Sequence, residues 1–149
     1  MRTGTLPALL LVAALAACAP PGETPGTLRL DRLQGRWVVI NYWATWCKPC
    51  IREIPELNAL AARYPETVTV LGVNYDGVQG DELGQQVSEL GIAFEVLVED
   101  PAGRLGVPRP QVLPTTLVLD PTGRLVDTLV GPQTLDSLAR ATASRASDG

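Results

Sequence analysis

Cys47 and Cys50, in the run Cys47-Lys48-Pro49-Cys50, are the residues of this chain whose type and spacing most directly suggest chemistry. Before them comes Trp37-Val38-Val39-Ile40-Asn41-Tyr42, an apolar run rich in β-branched and aromatic residues that reads as a buried strand. After them Ile51, Ile54, Leu57, Leu60 and Ala61 recur at helical period. The pair therefore sits where a strand runs straight into a helix. At a helix N-terminus the unpaired N–H groups and the macrodipole favour a thiolate at Cys47 over a thiol. Cys50 follows about one helical turn later, so its sulfur can close a disulfide with Cys47. Pro49 suits a first turn, where its missing N–H is not needed. Lys48 lies close enough to lower the Cys47 pKa, or is simply solvated. The alternatives for such a pair are two structural cysteines or half a zinc site.

Composition narrows the options. A formal charge of −4 gives no basic footprint for nucleic acid. The absence of histidine removes Ser-His and Cys-His nucleophiles, His-bearing zinc sites and imidazole-ligated copper. Three cysteines are too few for a disulfide scaffold, and 149 residues with 46% hydrophobic content suit one domain with a full core. No Pro-x-x-x-Thr-x-x-Cys pattern is present, which argues against a peroxide-reducing cysteine.

The run Trp43-Ala44-Thr45-Trp46-Cys47-Lys48-Pro49-Cys50 resembles the active-site signature of the thioredoxin superfamily, and Asn41 to Cys47 most resembles its TlpA/ResA-like branch of extracytoplasmic thiol–disulfide oxidoreductases. The resemblance extends from about Leu28 to Ala143. It implies an α/β thioredoxin-like fold: a central mixed sheet flanked by helices, with a helix–strand insertion between Tyr75 and Glu99. It implies that Cys47 is the nucleophile and Cys50 the resolving thiol, that no cofactor beyond the Cys47–Cys50 disulfide is used and that no metal is bound. Pro114, in Val112-Leu113-Pro114-Thr115-Thr116, falls where this superfamily carries a cis-proline beside the disulfide. Leu113 then offers its backbone to an extended substrate segment, with Thr115 and Trp46 as further contacts. Lys48 and Pro49 tune the redox couple. Thioredoxin carries a buried Asp at the position of Asn41, which cannot accept a proton. Asp76, after the second core strand, is the candidate replacement, with an exposed turn Asp before Gly77 as the alternative.

The N-terminus accounts for the third cysteine. Met1-Arg2-Thr3 is positively charged, and Leu6 to Ala17 is an apolar run too short to span a bilayer. Leu15-Ala16-Ala17-Cys18 resembles a bacterial lipobox, giving a signal peptide over 1–17 and a lipidated Cys18. A Pro- and Gly-rich tether follows within 18–27, and the thioredoxin-like domain occupies 28–149. Expected placement is extracytoplasmic, on the periplasmic face of a bacterial membrane, with Ala19 slightly favouring the outer one. An ordinary secretory signal or an uncleaved anchor is the alternative.

Further along, Leu28-Arg29-Leu30 reads as a short edge strand, and Val68 to Asn74 as a strand parallel to the first. Asp81 is expected to cap a helix ending near Leu90, followed by a short strand between Glu95 and Glu99. Pro55 is expected inside the helix that follows Cys50. Asp100-Pro101-Ala102-Gly103 and Asp120-Pro121-Thr122-Gly123 both read as type I turns, the second joining Thr115–Leu119 to Leu125–Val130 in a hairpin. Thr134 to Ala143 is amphipathic and closes the domain.

The resulting expectation is a monomeric, membrane-anchored enzyme that reduces specific protein disulfides, of the cytochrome c or copper-site maturation type, and draws electrons from a transmembrane thiol reductant. The alternatives are a disulfide oxidant working the same site in reverse, or a thioredoxin-like module that binds clients without turnover.

Overall fold

The computed structural model describes residues 27–143. The expected signal peptide, Cys18 and Ala19 lie outside them. The elements in order are β1 (Trp37–Trp43), α1 (Lys48–Arg63), β2 (Val68–Asn74), α2 (Gly80–Glu89), β3 (Glu95–Leu97), α3 (Ala102–Leu105), β4 (Thr115–Leu119), β5 (Leu125–Val130) and α4 (Leu135–Ala143). They build one sheet in the order β3-β2-β1-β4-β5, with β1, β2 and β3 parallel and β4 and β5 antiparallel. Among the described residues no helix is long and apolar enough to cross a membrane.

β1 is the central strand, and all seven of its residues are buried. Both of its faces are covered, which is why it reads as a continuous apolar run rather than an alternating one. Val39 and Trp43 face α1 and α4, packing in a cluster with Ile54, Leu57, Leu60 and Leu138. Val38, Ile40 and Tyr42 face the other way, against Leu71, Val73, Leu117 and Leu119. Gly72 on β2 makes room for the Trp43 indole: a Cβ there would stand 3.0 Å from Trp43 Nε1. The helix–strand insertion is α2 and β3, and β3 extends the sheet beyond β2.

Three local expectations change. Leu28 is buried against the Val38–Ile40–Tyr42 face, and Leu30–Arg32 forms a 3-10 turn. The segment thus lies across a sheet face instead of adding a strand at an edge. α2 starts one residue before Asp81, at Gly80, and its cap residue Gln79 makes no side-chain cap bond. Asp81 and Glu82 occupy the first turn, where the helix dipole still favours acids. The Asp100-Pro101 turn continues into α3, with Asp100 Oδ1 accepting from Ala102 N at 2.9 Å. The matching turn at Asp120 closes the β4–β5 hairpin as expected, with Gly123 at φ +83°. α1 runs through Pro55 to Arg63.

Candidate active site

The parallel strands β1 and β2 end on the same side of the sheet, and the antiparallel β4 begins there. The C-terminal end of β1 carries Ala44 to Cys47, the start of β4 carries Leu113 to Thr115, and the end of β2 carries Tyr75 and Asp76. Topology alone thus gathers at one rim the segments that the sequence marks as chemical.

Cys47 is the N-cap of α1, and its sulfur accepts from the Cys50 amide at 3.3 Å. The two cysteines form a disulfide with S–S 2.04 Å and Cα–Cα 5.3 Å. Cys47 retains 5% exposure and Cys50 1%, so Cys47 is the sulfur more open to an incoming partner. Pro49 stands in the first helical turn and Lys48 is exposed.

The Leu113–Pro114 peptide is cis. Pro114 is buried, and its carbonyl accepts from Gly131 N at 2.9 Å, which ties the start of β4 to the end of β5. Leu113 is half-buried. Thr115, expected as a substrate contact, is 2% exposed, and its hydroxyl donates to the Val112 carbonyl at 2.8 Å. β4 pairing with β1 at Tyr42 draws it under the surface. Trp46, by contrast, is 63% exposed beside Cys47, whereas Trp43 is fully buried.

Two acids stand near this site, Asp76 and a second one, Glu53, that the motif reading did not name. Asp76 lies at the surface, where its Oδ2 accepts from Trp46 Nε1 at 2.9 Å. It orients the indole. Glu53, one turn beyond Cys50 on α1, is 1% exposed. Its Oε2 accepts from Asn41 Nδ2 at 3.0 Å and its Oε1 from Gln133 N at 2.9 Å. Burial pushes the Glu53 carboxyl up to about 7, and those two donors only partly oppose the rise. Asn41 also donates to Thr116 Oγ1 at 2.9 Å, so the position that cannot accept a proton instead aims an N–H at the carboxylate that can. The available signal was Glu53's place on the stripe of Cys50, Ile54, Leu57 and Leu60, an apolar face in which an acid is anomalous.

A buried acid near neutrality, a disulfide at a helix N-terminus and a cis-proline can together relay one proton and exchange thiols. A family model described as AhpC/TSA family matches residues 13–128. The chain is 40% identical over 116 residues to the thiol:disulfide interchange protein DsbE homolog of Paracoccus denitrificans, covering 75% of this chain and 60% of that protein. It is 32% identical over 115 residues to the thiol-disulfide oxidoreductase ResA of Bacillus thuringiensis, covering 74% and 64%. These matches span less than two thirds of either relative's length. Among solved structures, a DsbF homologue from Corynebacterium diphtheriae superposes with a TM-score of 0.64 at 27% identity, covering 75% of this chain and 73% of that one. The chain belongs to the AhpC/TSA family, with the thioredoxin-like fold and the cysteine pair of its ResA- and DsbE-type relatives.

Proposed function

We propose that this protein is a thiol–disulfide oxidoreductase acting on protein disulfides, held at the extracytoplasmic face of a bacterial membrane by a lipid on Cys18. The observation that carries the reading is the Cys47–Cys50 disulfide at the N-terminus of α1, followed one turn later by the buried Glu53. The names of the two relatives support it.

In the reducing direction the Cys47 thiolate attacks one sulfur of a substrate disulfide, and the other substrate sulfur leaves as a thiolate. Cys50 then gives its proton to Glu53, and its thiolate attacks Cys47 Sγ. The Cys47–Cys50 bond forms, the mixed disulfide breaks, and the second substrate thiol departs. Two electrons pass from the cysteine pair to the substrate, and a thiol reductant of the membrane restores the pair. Glu53 suits the proton step because a carboxyl near 7 takes up and returns a proton at ambient pH. Leu113 presents its backbone to an extended client beside Pro114, and Trp46 supplies an exposed aromatic contact. Lys48 and Pro49 tune the couple. Cytochrome c or copper-site cysteines are the substrate class we assign.

The test is the reduction potential of the Cys47–Cys50 couple, measured in thiol buffers by tryptophan fluorescence. A value on the order of −270 mV supports a reductant, and one near −120 mV makes the protein a disulfide donor. No reversible couple overturns the enzyme reading and leaves a client-binding module. Loss of lipid labelling in Cys18→Ser is expected; unchanged labelling overturns the anchor.

A further inference from the structure

The segment that leads into Pro114, Val107-Pro108-Arg109-Pro110-Gln111-Val112, belongs to no helix or strand. Its two prolines lack the N–H that a backbone ladder would use. Val107 N donates to the Ala102 carbonyl at 3.0 Å, and beyond that bond the segment is held by side chains, chief among them Arg109. Arg109 Nε donates to Asp100 Oδ2 at 2.7 Å, and another guanidinium nitrogen donates to the Tyr75 carbonyl. The guanidinium also lies over the Tyr75 ring, 3.9 Å from its centroid. The Tyr75 hydroxyl donates back to the Pro110 carbonyl at 3.2 Å, closing a circuit around the segment.

Both anchors are rooted in the strands that carry the redox rim. Asp100 is held by the hydroxyl of Tyr42 at 2.7 Å, from fully buried Tyr42 on β1, and by Ala102 N. β1 leads directly to Cys47. Tyr75 follows β2, and its neighbour Asp76 holds the Trp46 indole. The chain of contacts thus ties one wall of the active rim, Val112-Leu113-Pro114, to the other, Trp46-Cys47.

We propose that Arg109 is a positioning residue for protein substrates: it fixes the Leu113–Pro114 wall against the ends of β1 and β2 and thereby sets the affinity for an extended client. This rests on the oxidoreductase reading above. An isolated, partly exposed ion pair would do little. Arg109 differs because one planar fork serves a carboxylate, a carbonyl and an aromatic face at once, which a lysine cannot reproduce. It touches neither cysteine, so small thiols that need no wall escape its influence.

The experiment compares reduction of insulin by the full protein with exchange against dithiothreitol, for wild type, Arg109→Gln, Arg109→Lys and Tyr75→Phe, with urea midpoints to confirm folding. Loosening the wall by the equivalent of one factor of ten in binding raises the insulin KM about tenfold, while kcat and the dithiothreitol equilibrium stay within about twofold. Arg109→Lys does not restore KM. Tyr75→Phe keeps the stacking surface but loses the Pro110 contact, and it raises KM by roughly threefold. Measured beside Asp100→Asn alone, Arg109→Gln/Asp100→Asn gives less than the sum of the two single effects, because both remove the Arg109–Asp100 bond. An unchanged KM in Arg109→Gln, a fall in kcat alone, or full rescue by lysine overturns the inference while leaving the enzyme reading intact. A wild type without a reversible Cys47–Cys50 couple overturns both.

Discussion

Exchanging Glu53 for Gln keeps the length of the side chain and an oxygen for Gln133 N, but removes the proton that the site can move. Two effects follow, one on stability and one on turnover. The folded carboxyl titrates near 7 against a usual 4.5. At about 1.4 kcal/mol per unit this difference is worth up to roughly 3 kcal/mol. For the sign: between these two pH values the folded chain keeps a proton that the unfolded chain has released. Stability therefore falls as pH rises from about 4.5 through 7, and the whole penalty is present above 7. Gln carries no such penalty, although its amide N–H₂ meets the Asn41 Nδ2 donor, a mismatch that costs about 1 kcal/mol. The net expectation at pH 8 is a Gln variant more stable than wild type by about 2 kcal/mol, an advantage that vanishes toward pH 5.

Urea unfolding of the oxidised protein, followed by tryptophan fluorescence from pH 5 to 8.5, measures the difference directly. Taking wild type minus variant cancels every other titrating group. In turnover, losing the acceptor is expected to slow resolution of the mixed disulfide by on the order of a hundredfold at neutral pH, and to remove the inflection near pH 7 expected of wild type. A stability difference that is flat with pH would refute the burial argument. Undiminished resolution in Glu53→Gln would refute the proton transfer and return attention to Asp76.

Cys47→Ser abolishes exchange, whereas Cys50→Ser accumulates mixed disulfides visible on non-reducing gels; turnover by the first variant would sink the mechanism. Pro114→Thr slows client release and enriches the mixed disulfide, and normal release kinetics would remove that residue from the site. Gly72→Ala destabilises the fold by about 1–3 kcal/mol in urea titration, because overpacking a full core forces side chains off their rotamers. The added Cβ would meet Trp43 at 3.0 Å, Phe94 at 3.1 Å and Val96 at 3.2 Å. A neutral result would show that the Trp43 pocket can relax.

What was legible in the chain follows from which signals are local. β1, α1, β2 and the β4–β5 hairpin stand close to where periodicity and turn chemistry put them, because each is specified by its own side chains. Leu28 defeats a local reading: an alternating Leu-Arg-Leu looks like a strand, but what decides is whether a sheet edge or a sheet face is free to receive it. Here the Val38–Ile40–Tyr42 face receives it. Arg109 is silent for the same reason, since its partners Asp100 and Tyr75 are brought to it only by the fold.

Glu53 is the more instructive miss. A pattern that scores Glu as polar assigns it to the solvated side of α1, yet Glu53, Leu57 and Leu60 stand on one seam and all are buried. An acid in an apolar seam demands either a partner or a raised pKa. Glu53 has both: Asn41 supplies the first, and burial the second. Asn41 and Glu53 therefore need to be read together. The amide on β1 takes the place where thioredoxin keeps its acid, and the acid reappears on α1, one turn from Cys50, with that amide donating to it. On the proposed mechanism the proton acceptor stands on the helix rather than on the strand, and comparing Glu53→Gln with Asp76→Asn decides which of the two acids takes the Cys50 proton.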